Sequence, residues 1–138
     1  MAKLILTRGL PGSGKTTWAM NWVNEDVFSR VRVNRDNILR MISTCYVSMN
    51  TELVRDILYS SVELALKHGK DVVLDGVNLN NTERYLDIAK KYNATVEYKD
   101  FKVSLEECLK RNKKRPEDEI IPEELIRGIY ENNKDFFK

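Results

Sequence analysis

The stretch Lys3-Leu4-Ile5-Leu6-Thr7-Arg8, followed at once by Gly9-Leu10-Pro11-Gly12-Ser13-Gly14-Lys15-Thr16, decides how this chain is read. A short apolar run bounded by turn residues predicts a buried strand. The segment after it meets GxxxxGK[ST] at every fixed position. Glycines let such a loop wrap tightly, because no Cβ stands in the way. The backbone N–H groups of Gly12, Ser13, Gly14, Lys15, Thr16 and Thr17 are then expected to point at phosphate oxygens, and a helix starting near Lys15 adds its positive end. In a loop of this type the lysine neutralises the β- and γ-phosphates and the next hydroxyl belongs on Mg²⁺. Those roles fall on Lys15 and Thr16. The alternative, a glycine-rich turn that binds nothing, does not account for strand, loop and helix falling in the order the motif needs. ATP and Mg²⁺ are the expected cofactors.

Working outward, the helix should run to about Asn24, and residues 31–34 (VRVN) suggest a second strand. A helical stretch RDNILRMI follows, with Asp36 near its start and Asn34 or Asp36 suited to cap it. Residues 43–50 (STCYVSMN) read as a loop. Leu53, Ile57, Leu58, Leu64 and Ala65 fall near a 3.6-residue period and predict a long helix over 51–68, with Gly69 as its C-cap. Residues 71–75 (DVVLD) make a third buried strand, 81–92 a helix, and ATVEYKDFKV a fourth strand. SLEECLKRNKKR opens with a capping box from Ser104 to Glu107. Residues 116–121 break that helix, and Pro122 begins a last one that runs through EELIRGIYENNKDFF.

Strands alternating with helices predict an α/β fold, a parallel sheet covered by helices on both faces. The first strand should be central, since the carboxyl edge of the sheet presents the phosphate loop. With 138 residues and no linker or repeat, residues 1–138 are expected to form a single domain. The net charge is +2, which does not by itself announce a nucleic-acid binder. Cys45, Cys108 and the single His68 show no metal-ligand spacing, so a zinc site is not expected. Cys108, spaced helically with Leu105 and Leu109, reads as a small buried hydrophobe. The initial apolar run is too short for a signal peptide or a membrane span, and the expected location is the cytoplasm, that of the host if the chain is phage-encoded.

Three further groups carry candidate chemistry. Asp75 ends the hydrophobic strand VVLD, the position of a carboxylate that would hold magnesium; the alternative is a strand-terminal Asp capping the next loop. Asp36 follows the second strand near the same sheet edge, where a carboxylate can take a proton from an acceptor hydroxyl. Residues 110–115 place five cations in six positions. These read either as a solvated helix end or as a basic lid over about 111–121, with Arg111 and Arg115 four apart and able to face phosphates together. Trp18 and Trp22 share a face of the first helix and are expected to pack on the sheet rather than to stack a base.

The chain resembles the kinase domain of phage polynucleotide 5′-hydroxyl kinases. The resemblance rests on LILTRGLPGSGKTTWA, VNRDN at 33–37, NLN at 78–80, and the run from KKYNATVEYKDFKV through LKRNKKR to the final helix. It implies a P-loop kinase fold with four parallel strands in the order 2-3-1-4. It further implies that Asp36 is the general base, that Arg111 and Arg115 engage the nucleotide and the transition state, and that copies of the chain can assemble. The implied reaction moves the γ-phosphate of ATP to the 5′-hydroxyl end of DNA or RNA, with Arg35, Asp36, Arg40 and Asn78 on the acceptor side. Two positions depart from the family pattern. The family carries an acceptor-gripping arginine three residues after the base, where this chain has Leu39 and then Arg40. The family also reads Asp-Thr-Asn after strand three, where this chain reads Asp75-Gly76-Val77-Asn78. A kinase for a nucleoside, nucleotide or other small hydroxyl compound is therefore the competing reading. A P-loop switch without an acceptor is a third, opposed by Asp36 and the basic lid.

Overall fold

The computed structural model describes residues 1–43 and 51–138. Its core is one four-stranded parallel sheet in the order β2-β3-β1-β4. The strands are β1 (Lys3–Arg8), β2 (Arg30–Asn34), β3 (Asp71–Asp75) and β4 (Thr95–Asp100). β1 is central, with Leu4, Ile5 and Leu6 in register with Val72, Val73 and Leu74 on one side and with Val96, Glu97 and Tyr98 on the other. Two fully flanked strands need apolar residues on both faces, and Leu4, Ile5, Leu6, Val72, Val73 and Leu74 are all buried.

The helices are α1 (Lys15–Asn24), α2 (Arg35–Ile42), α3 (Thr51–Lys67), α4 (Glu83–Lys91), α5 (Leu105–Lys113) and α6 (Glu123–Glu131). One face of the sheet meets α3 and α4 through Leu4, Leu6, Val33, Val72 and Leu74. The opposite face meets α1 through Ile5, Val73 and Ala19, with Trp18 and Trp22 packed against that cluster. The two indole rings stack on each other at 6.3 Å, so their role is to cover the sheet. A third cluster joins the phosphate loop to the C-terminal helices, with Leu10, Cys108, Leu109, Ile121 and Ile126 buried together.

Local signals explain the boundaries. Asn34, not Asp36, caps α2: its Oδ1 accepts the Asn37 N–H at 2.9 Å. Ser104 caps α5 by accepting the Glu107 N–H at 3.2 Å. Gly69, at φ +75°, ends α3, and the next N–H, of Lys70, donates back to Ala65.

Three expectations need correction. On α3 the buried stripe is Val54, Leu58, Val62 and Leu66, whereas Leu53 and Leu64 are exposed. A one-residue offset on a helix turns a side chain by about 100°, and valines alternate with leucines on this face. The last helix ends at Glu131 and resumes only as a short 3₁₀ turn at Lys134–Phe137. Asn133 intervenes, its side chain donating to the Ile129 carbonyl at 2.8 Å. β4 stops at Asp100, short of the predicted FKV. Cys45 and the loop expected over 43–50 lie outside the described residues from position 44 on.

Candidate functional site

The carboxyl ends of β1, β2 and β3 deliver the phosphate loop, Asn34 and Asp75 to one edge of the sheet. Thr7 ties the two central strand ends together. It is fully buried, and its Oγ1 lies 2.9 Å from the Gly76 carbonyl and 3.0 Å from the Gly76 N–H. The Gly9 N–H donates to Val77 at 3.2 Å, which fixes the start of the loop.

Two glycines of the loop are required, Gly12 by what surrounds it and Gly14 by its backbone conformation. A Cβ on Gly12 would stand 2.9 Å from the Cys108 carbonyl, so α5 can pack on the loop only if this residue has no side chain. Gly14 caps α1 in the left-handed region at φ +96°, with open space where a Cβ would project. The loop thus presents an uncovered backbone concavity at a helix N-terminus, the arrangement that receives an anion.

Lys15 is 7% exposed, and its ammonium donates to the Leu10 carbonyl and to Ser13 Oγ. Burial lowers its pKa to about 8, an effect only partly offset by the negative charge of Asp75. The loop's own oxygens hold the ammonium where phosphate oxygens would be better partners. The Ser13 N–H donates to Leu10 at 3.2 Å, so this amide belongs to the turn rather than to the expected ring of inward-pointing donors.

Asp75 is 2% exposed. Its Oδ2 accepts from Thr16 Oγ1 at 2.9 Å, Arg32 Nε at 2.8 Å and Asn34 Nδ2 at 3.2 Å. A hydroxyl and a carboxylate in contact beside a phosphate cradle form a donor set of the kind Mg²⁺ takes together with phosphate oxygens. The residues therefore fit the cation that the motif implies.

A cavity of about 610 Å³ opens above these groups. Gly12, Gly14, Lys15, Thr16, Thr17 and Asp75 line one part of it, and Arg35, Asp36 and Asn78 another. Arg111 and Arg115 enter from α5 and the turn after it. Arg111 is held by Glu107 Oε1 at 3.1 Å and donates to the Gly12 carbonyl at 3.3 Å. Asn112, buried beneath them, binds the main chain of Ile121 through both ends of its amide at 2.7 and 3.0 Å, closing residues 112–121 into a compact loop.

Two residues expected at the site have structural partners in this fold. Arg40 does not line the cavity; its guanidinium approaches Asp118 at 3.5 Å and the Asp118 carbonyl at 3.3 Å. Position 39 offers no replacement, because Leu39 is 1% exposed in the core under α2. Asn78 lines the cavity, but its amide nitrogen donates to the Thr7 and Leu74 carbonyls at 2.9 Å each, bracing the strand ends.

Several residues of the site escaped the sequence reading. Arg32 lies on the same face of β2 as Asn34, which the period-two alternation of a strand could have revealed. Leu58, Tyr85, Leu125 and Ile129 give the cavity an apolar wall. No local motif marks them, since α3, α4 and α6 meet there only through the tertiary fold.

The sequence from residue 4 to residue 138 matches the profile of a protein family described as AAA domain. Among solved structures, a chain of the Pnkp1/Rnl/Hen1 RNA repair complex is similar, with a TM-score of 0.78 and 29% identity over 99% of this chain and 46% of that one. A second structure of a Pnkp1/Rnl/Hen1 complex gives a TM-score of 0.70 and 30% identity over 80% of this chain and 39% of that one. This chain thus spans less than half the length of either of these relatives. The APS kinase CysC of Mycobacterium tuberculosis, solved with AMPPNP and APS, shares the fold at a TM-score of 0.54 and 20% identity, covering 82% of this chain and 69% of that one.

Proposed function

This chain belongs to the AAA domain family and has the P-loop kinase fold, and from that premise we propose that it transfers the γ-phosphate of ATP to the 5′-hydroxyl end of a nucleic acid, RNA or DNA. One observation carries the reading. A single cavity is lined by the phosphate loop with Lys15 and Thr16, by the Asp36 carboxylate, and by Arg111 and Arg115. Phosphoryl transfer needs those three things together: a cradle for the donor, a base for the acceptor hydroxyl, and positive charge around the moving group. The likeness to the chains of an RNA repair complex supports the acceptor class.

In this reading the loop amides and Lys15 bind the donor phosphates. Thr16 and Asp75 would hold Mg²⁺, which would neutralise phosphate charge. Asp36 accepts the proton of the 5′-hydroxyl as its oxygen attacks the γ-phosphorus, the bond from that phosphorus to the β–γ bridging oxygen breaks, and ADP leaves. Arg111 and Arg115, from a lid over about 111–121, offset the charge on the transferring oxygens. Arg35, 4.0 Å from Asp36, and Asn78 face the acceptor, and the wall of Leu58, Tyr85, Leu125 and Ile129 suits a terminal nucleoside. Residues 1–138 act as one kinase domain.

A second reading, a kinase for a nucleoside or another small hydroxyl compound, is favoured by one feature. Leu39 is buried and Arg40 is paired with Asp118, so Arg35 is the cation that α2 brings to the cavity. Transfer from labelled ATP separates the two readings. The acceptors are a 5′-hydroxyl oligodeoxynucleotide, the matching RNA, a nucleoside 3′-monophosphate and a plain nucleoside. Label on the oligonucleotide 5′ end, inhibited by salt because phosphate contacts release counterions, is the expected result. Label on the small compounds alone would replace the first reading with the second.

A further inference from the structure

Arg32 occupies a position that the phosphate-transfer scheme does not use. It stands two residues before Asn34 on β2, so both side chains leave the same face of the sheet. In the β2–β3 register Asn34 lies opposite Asp75, and Arg32 opposite Val73, one step diagonal from that carboxylate. The guanidinium closes the diagonal, with Nε 2.8 Å from Asp75 Oδ2. The Asp75 side chain is 1% exposed and that of Arg32 19%. Thr16, Asn34 and Asp75 line the 610 Å³ cavity, but Arg32 does not. It reaches the carboxylate without lining that cavity.

The charges around Asp75 have a consequence for the divalent cation. Among the described residues no group of three or more His, Cys, Asp or Glu side chains could hold a metal ion. Beside the phosphate loop the donors in contact are one carboxylate and one hydroxyl, Asp75 and Thr16, with Asp36 elsewhere on the cavity wall. The single negative charge is already matched by Arg32 in direct contact, and the Lys15 ammonium acts on the same carboxylate. A cation that gives up its water reluctantly gains too little from such a site alone. Phosphate oxygens must bring the missing negative charge.

We propose that Arg32 is a positioning residue that makes divalent-cation binding conditional on nucleotide. It balances the buried Asp75 in the free protein, holds its oxygen against Thr16, and keeps a cation from occupying the pair until phosphates arrive. The proposal rests on the reading of Thr16 and Asp75 as the cation pair. It is independent of which acceptor the enzyme uses.

The test measures Mn²⁺ binding to the full chain without nucleotide, by loss of the free-ion electron paramagnetic resonance signal. The wild-type protein and Arg32→Lys should leave the signal nearly intact. Arg32→Met and Arg32→Gln should bind Mn²⁺ at least about tenfold more tightly, the scale expected from removing a unit charge a few ångströms away. Mn²⁺ should also raise the unfolding temperature of these two variants and not that of the wild type. Arg32→Gln keeps a hydrogen-bond donor at the position and serves where Arg32→Met folds poorly. Equal Mn²⁺ affinity in wild type and both neutral variants overturns the proposal. Adding Thr16→Ala to Arg32→Gln should abolish the gained binding. If the binding persists there, the cation lies elsewhere, and the reading of Thr16 and Asp75 fails instead.

Discussion

Arg111 Nη1 donates to the carbonyl oxygen of Gly12 at 3.3 Å, so the helix that carries the basic run is hydrogen-bonded to the phosphate loop itself. The same guanidinium is steadied by Glu107 one helical turn earlier. Arg115 lines the same cavity from beyond the end of the helix. The two arginines should therefore respond differently to truncation. Arg115→Ala should lower the turnover number by about 10²-fold or more with the nucleotide Kd nearly unchanged, because such an arginine acts mainly on the transition state. Arg111→Ala should weaken nucleotide binding as well, since the loop loses a brace. Steady-state kinetics beside a binding titration of a non-hydrolysable ATP analogue distinguishes these outcomes.

Lys15 gives the protein a pH signature. Burial lowers its pKa from 10.5 to about 8. Below 8 the folded and unfolded states both hold the proton, and the fold bears the full cost of burying the charge. Between 8 and 10.5 the unfolded state binds more protons, so this group makes stability rise with pH across that window. Nucleotide binding runs the other way, because phosphates favour the charged lysine. Affinity for an ATP analogue should fall as pH rises above about 8, with proton uptake on binding near pH 8.5. Calorimetry in two buffers of different ionisation enthalpy measures that uptake directly. Lys15→Met should abolish it.

The candidate site was legible where chemistry and chain position coincide. The loop motif, Asp75 at a strand end and Asp36 after β2 are local signals, and Gly12, Gly14, Lys15, Thr16, Asp75 and Asp36 line one cavity. The sheet was readable for the same reason, since the middles of β1 and β3 are apolar on both faces, as a central parallel strand covered on both sides requires. The pairing of Arg40 was not legible, because a helix position says nothing about which distant element it meets, and Asp118 lies 78 residues away. Arg32 was silent because arginine on an edge strand normally faces water. Its value comes from a carboxylate on the neighbouring strand. The face of α3 was misassigned because leucine identity outweighed the i, i+4 spacing of Val54, Leu58, Val62 and Leu66.

Leu39 allows a direct check on the departure from the kinases that the sequence resembles. Leu39→Arg would restore their acceptor-gripping residue by sequence, but the position is 1% exposed among Val33, Val54 and Leu58. Burying an unpaired guanidinium there should cost at least about 4 kcal/mol. The unfolding temperature should fall by more than about 10 °C, and soluble yield with it. A stable Leu39→Arg protein with improved oligonucleotide affinity would mean that α2 can rotate to present position 39 to the cavity.

Asp36 is the residue on which the proposed reaction turns, and the fold separates its chemical role from a structural one. The cap of α2 is Asn34, whose Oδ1 takes the Asn37 N–H at 2.9 Å, so Asp36 is not needed to start the helix. Its side chain is 44% exposed at the cavity, with Arg35 at 4.0 Å. Asp36→Asn keeps size and polarity but removes the ability to accept a proton from an attacking hydroxyl. Phosphoryl transfer should fall by about 10²–10⁴-fold, the usual worth of a general base. The unfolding temperature and the Kd for an ATP analogue should stay close to wild type. Transfer assayed with a 5′-hydroxyl oligonucleotide, beside thermal unfolding and a nucleotide titration, reads all three. Loss of nucleotide binding together with activity would mark Asp36 as a support of the phosphate site and remove it as the base.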